Sequence, residues 1–76
     1  MTIDELTTLS GLLQKYYDEL KSKRTAVLDN ETTSTEYKCI RYSVIMEDMK
    51  KVSHVKREID ESTEEMQEKL LKEILQ

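Results

Sequence analysis

The segment Glu36-Tyr37-Lys38-Cys39-Ile40-Arg41-Tyr42-Ser43-Val44-Ile45-Met46 decides the fold. In isolation it reads two ways. Ile40, Tyr42, Val44 and Met46 alternate as in a strand, and β-branched and aromatic side chains suit that state. A lone strand, however, needs a sheet to join, and the rest of the chain offers none. Downstream residues favour helix: Ile45, Val52, Ile59 and Met66 recur at intervals of seven. Tyr42, Met49 and Leu70 fill a companion seam, interrupted at Lys56 and Thr63. A seven-residue apolar repeat belongs to helices that pack at about 20° to one another.

Upstream the pattern recurs. Leu6, Leu13, Leu20 and Val27 are seven apart, and Leu9 and Tyr16 lie three beyond the first two. Lys23 breaks that second row. Leu12, Tyr17 and Ala26 widen the stripe enough to meet two neighbours. Tyr16 is expected in the core, with Tyr17 and Tyr37 at its rim.

Between the two runs, Asp29-Asn30-Glu31-Thr32-Thr33-Ser34 is polar throughout. Asn30 is a residue type able to close a helix in the left-handed conformation, so the turn belongs here. A short connection implies antiparallel neighbours. Three Ser/Thr-x-x-Glu patterns, Thr2–Glu5, Thr33–Glu36 and Ser62–Glu65, resemble helix starts. Thr2 and Thr33 each precede an apolar stripe. Ser62 has no Gly, Pro or Asn before it to stop a helix.

The expected fold is all-α: one domain over 1–76, an antiparallel, coiled-coil-like helical hairpin with a third C-terminal segment. Its helices cover about 3–29, 34–60 and 63–76, with the last two continuous as the alternative. An unbroken second helix of about 42 residues would span roughly 63 Å, against roughly 40 Å for the first, at about 1.5 Å per residue. Met66, Leu70, Leu71, Ile74 and Leu75 would then overhang.

Composition sharpens the consequence. The chain has 76 residues, is 37% hydrophobic, and contains no Phe, no Trp, no Pro, one Gly and one Cys. Domains this small usually need a disulfide, a metal or a second subunit. A single Cys39 excludes an internal disulfide and points to a reducing compartment. No apolar run has the length of a signal peptide or a membrane span. The expectation is a cytoplasmic protein (host cytoplasm if viral), of a size and polarity that suit a phage accessory protein. The bundle is expected to be completed by a homodimer or by docking on a larger protein.

Net charge is −4, unevenly placed. Residues 14–57 carry ten bases and seven acids; residues 58–76 carry seven acids against Lys69 and Lys72. Lys21, Lys23, Arg24, Lys38 and Arg41 gather toward the turn and are candidate phosphate contacts, but Asp29, Glu31 and Glu36 share that end. Glu61, Glu64, Glu65 and Glu68 offer an acidic surface of the kind a small enzyme inhibitor presents.

The protein interface is expected at Tyr37, Ile40, Tyr42, Val44, Ile45, Met46, Met49, Leu70 and Ile74. On a helix, Tyr37–Met49 is apolar in nearly every direction, and such a helix is normally buried on most sides. His54 has Glu58 and Glu61 on its face but lacks the company a metal site needs. Cys39 beside Lys38 lacks a partner base. No phosphate loop, zinc spacing or nucleophilic set is present. The chain is therefore expected to be no enzyme, to use no cofactor or metal, and to mediate protein–protein contact as an adaptor, assembly factor or regulator. A small acidic inhibitor and a weak nucleic-acid-binding regulator are the alternatives.

Overall fold

The computed structural model describes residues 1–75, and they form two helices joined by a short loop. Helix α1 spans Ile3–Asp29 and α2 spans Thr35–Leu75. They pack antiparallel as a hairpin, and no strand occurs among the described residues. The Glu36–Met46 segment is helical throughout.

Thr2 starts α1 as expected. Its hydroxyl accepts from the Glu5 amide at 3.2 Å, and Glu5 Oε1 accepts from the Thr2 amide at 3.3 Å. Each satisfies a donor that the first turn leaves orphaned. The second start is shifted by one residue from the expected Thr33 pattern. Ser34 is the cap: its Oγ accepts from the Tyr37 amide at 3.2 Å and its carbonyl accepts from the Lys38 amide at 3.1 Å. The Thr33 hydroxyl instead donates to the Asn30 carbonyl at 3.2 Å.

Asn30 also departs from expectation. Its φ of −77° is not left-handed, and no described residue has a positive φ. The turn is made by its side chain, whose Oδ1 accepts from the Thr32 amide at 3.0 Å and the Thr32 hydroxyl at 2.7 Å. An Asx turn of this kind replaces the left-handed residue. Lys38 Nζ reaches back 3.5 Å to the Leu28 carbonyl, placing a cation at the negative end of α1.

The expected third helix does not separate. Ser62 and Thr63 lie inside α2, where the Thr63 hydroxyl donates to the Ile59 carbonyl at 2.9 Å. Without Gly or Pro near Asp60–Ser62, nothing there competes with helix continuation.

The core is small. Leu6, Leu20, Ile45, Met49 and Val52 are buried, with Leu13, Tyr17, Val27 and Met46 packed around the last four. On α2 the seam follows the expected rows, and Lys56 and Thr63 keep their places in it, half-buried. On α1 the companion row falls four residues after each Leu, not three. Ser10, Tyr17 and Arg24 are half-buried, whereas Tyr16 is 45% exposed and Lys23 lies outside. The expected roles of Tyr16 and Tyr17 are thus exchanged. The intervals 6, 10, 13, 17, 20, 24, 27 run four and three alternately, which is the spacing of a heptad seam.

Two contacts fix the register. Ser10 Oγ donates to Asp60 Oδ1 at 2.7 Å, and Arg24 Nη1 lies 3.3 Å from Met46 Sδ. Both pairs are separated by fourteen residues on their own helix (10 to 24, and 46 to 60), two heptads on each side. Carried seven residues back, this register sets Ile3 level with Gln67. Glu68–Leu75 therefore has no α1 residue opposite it. The 63 Å length of the molecule matches about 62 Å for a 41-residue helix, so α2 alone sets its extent.

Candidate functional site

The hairpin divides the expected interface into two groups. Ile45 and Met49 are each only 3% exposed and packed against α1, so they belong to the internal core and are corrected out of the outer surface. Tyr42 and Met46 are half-buried at its margin. Tyr37, Ile40, Val44, Leu70 and Ile74 remain open to solvent. One neighbouring helix covers only one stripe of α2, which is why a segment apolar all round ends up half covered.

Taking Tyr42 and Met49 as a positions and Ile45 and Val52 as d positions, g falls on Arg41, Asp48, Val55 and Ser62, and c on Tyr37, Val44, Lys51 and Glu58. With Ser10 and Tyr17 as a on α1, Tyr16 and Leu9 fall on g and Leu12 on c. In an antiparallel pair the g positions of the two helices flank the same side of the seam. Tyr16, Leu12, Val44, Val55 and Tyr37 therefore share one side of the hairpin, and all five are exposed. Leu9, Leu12 and Met1 also line a shallow depression beside the N-terminus. Tyr16, Leu12 and Val55 were absent from the expected interface; their signal was the four-residue step to Ser10 and Tyr17, which turns Tyr16 outward.

The second group is the overhang. Leu70, Leu71, Ile74 and Leu75 are exposed beyond the end of α1. Their stripe sits past the last residue that α1 can cover.

Around Asp60, the opposite side of the seam is polar. Asp60 accepts from Ser10 and from Lys56 Nζ at 2.9 Å. The Ser10 hydroxyl first, and then Lys56, hold the Asp60 carboxyl below its usual range against a smaller opposing effect of desolvation. Around it, Gln14, Ser53, Arg57 and Glu64 line an open groove. This cluster joins the helices: one carboxylate takes a donor from each of them.

The candidate phosphate contacts do not converge. Lys38 and Arg24 are engaged within the hairpin, by the Leu28 carbonyl and by Met46. Of the others, Lys21 occupies an e position, whereas Lys23 and Arg41 occupy g on the other side of the seam. His54 Nε2 lies 3.0 Å from Glu58 Oε1 in an exposed pair. No group of three or more His, Cys, Asp and Glu suited to a metal ion occurs among the described residues. Cys39 is a free, exposed thiol, and no helix among the described residues is long and apolar enough to cross a membrane. Compared with known proteins, the chain matches no family model, no curated protein and no solved structure.

Proposed function

We propose that this chain is a non-enzymatic protein–protein interaction module that works through the apolar surface its own hairpin leaves uncovered. One observation carries the reading. Twelve large apolar residues are exposed against five that are buried. Scattered exposed apolar side chains are ordinary, but contiguous groups on one face mark contact sites. Nine of the twelve fall into two groups: Leu12, Tyr16, Tyr37, Val44 and Val55 along one side, and Leu70, Leu71, Ile74 and Leu75 on the overhang. A core of five residues also leaves a small domain in want of further burial. The partner is a second copy or a larger protein that takes the place of a missing helix.

The test compares the wild-type chain with a variant carrying Val44→Glu and Ile74→Glu, one change in each apolar group. Both positions are exposed, so the hairpin tolerates them. Assembly, whether self-association in sedimentation or capture of one defined partner from source-cell extract, is expected for the wild type and lost in the variant. Identical behaviour of the two proteins, both solitary and both without a partner, contradicts the reading.

A further inference from the structure

The side of α2 that flanks the hairpin seam carries a pattern complementary to its own reversal. Its c and g positions, in order, are Tyr37, Arg41, Val44, Asp48, Lys51, Val55, Glu58 and Ser62. Reversed end to end about the point between Met49 and Lys50, Arg41 falls on Glu58, Val44 on Val55, and Asp48 on Lys51. Both charged matches join opposite signs, and the third joins two valines. We propose that a second copy of this chain docks on this side, antiparallel, with a two-fold axis crossing α2 between Met49 and Lys50. The proposal rests on the interaction reading above and specifies its partner and geometry.

An isologous dimer requires a surface complementary to itself under rotation, and this stripe meets that condition at its three central pairs. α1 supplies a matching half. Ser10 opposite Asp60 and Arg24 opposite Met46 set Lys21 nearly level with the point between Met49 and Lys50. Reversed about that level, Glu19 falls within about one residue of Lys23 and Tyr16 within about one residue of Ala26, again opposite charge and apolar contact. The alternative, parallel arrangement stacks α1 on the partner's α2 at equal height. It sets Glu19 against Lys51 and Ala26 against Val44, but also Glu5 against Glu65 and Leu12 against Glu58, a like-charge contact and an apolar residue on an acid. The unbroken complementarity of Arg41 with Glu58, Val44 with Val55 and Asp48 with Lys51 favours the antiparallel arrangement over this mixed set.

Exposure is consistent with an outer seam. Val44 and Val55 are 46% and 43% exposed, and Arg41, Lys51 and Glu58 are open to solvent. Lys51 and Glu58 each have a neighbour on their own helix, Glu47 at 3.7 Å and His54 at 3.0 Å, in pairs at least 65% exposed. Exposed pairs of this kind are weak and exchange readily for a partner across an interface. From Tyr37 to Ser62 the stripe runs about 38 Å along α2. Across the 16 Å width of the hairpin this gives on the order of 600 Å² in flat projection, close to the roughly 800 Å² per partner of a standard interface.

The test is a charge-exchange pair. Val44→Lys and Val55→Glu each place a charge opposite an unchanged valine and should raise the dimer dissociation constant at least about tenfold. Mixed in equal amounts, the two variants are expected to recover dimer, because the heterodimer has one Lys–Glu contact and one Val–Val contact. The mixture is read by sedimentation together with helical signal, so rescue is visible even if a separated variant loses helix. A wild-type chain that stays monomeric at high micromolar concentration overturns the proposal, while capture of another protein would still support the interaction reading. A dimer indifferent to both substitutions places self-association elsewhere and overturns this face. Variants that separate but do not rescue each other overturn the antiparallel geometry.

Discussion

The Ser10 hydroxyl and the Asp60 carboxylate, 2.7 Å apart, make the shortest of the three hydrogen bonds that join the two helices among the described residues. A hydroxyl in the α1 seam brings α1 against the same carboxylate that Lys56 holds from α2. The contact fixes how far one helix slides along the other, and so fixes how much of α2 is left uncovered.

Asp60 should give the fold a specific acid sensitivity. Its folded pKa lies below the ordinary value, through the Ser10 bond and then Lys56. A depressed carboxyl contributes stability that is present above about pH 4, its unfolded range, and is lost as pH falls through the lower folded value. Melting curves from neutral to strongly acid pH should show Asp60→Asn below wild type at neutral pH, with the difference closing at the acid end. A gap that persists below both pKa values would show that charge on Asp60 is not its cause.

Leu20 is 4% exposed at the centre of the core, and Leu20→Ala should cost about 2–5 kcal/mol. With so few buried residues that loss is a large fraction of total stability, and the helical signal at room temperature should fall sharply. Ile74→Ala, at a position 77% exposed, should change the unfolding midpoint by no more than about 0.5 kcal/mol equivalent. Chemical denaturation followed by circular dichroism distinguishes the two.

The helix starts separate Ser34 from Thr33. Removing a capping hydroxyl typically costs about 0.5–2 kcal/mol, so Thr2→Ala and Ser34→Ala should each fall in that range. Thr33→Ala removes only a loop contact to the Asn30 carbonyl and should cost less than either. Faster amide exchange at Glu5 and at Tyr37 in the respective variants would localise the effect, since those amides lose their acceptors.

Much of this hairpin was legible from periodicity. The α2 seam through Ile45, Met49 and Val52 follows the spacing of the apolar residues alone, as do the polar turn and the Thr2 cap. The α1 seam was harder because its second row is written in mixed chemistry. Ser10 and Arg24 occupy inward positions that hydrophobicity does not mark, and the apolar Leu9 and Tyr16 beside them suggest the wrong step. Only the contacts made across the seam, with Asp60 and Met46, distinguish a three-residue from a four-residue offset. The continuity of α2 past Ser62 depended on what was missing: a cap pattern inside a helix starts nothing unless something ends the preceding turn. For the candidate surface, the open faces of Tyr37, Val44 and Ile74 follow from the sequence, whereas the enclosure of Ile45 and Met49 depends on which stripe α1 chooses to cover.

If a second copy covers apolar surface that this hairpin leaves open, thermal unfolding depends on protein concentration. Association that favours the folded state raises the melting midpoint by mass action. The midpoint should climb steadily as the chain is concentrated from low to high micromolar. A single midpoint across that whole range, from a chain that sediments alone throughout, would contradict it.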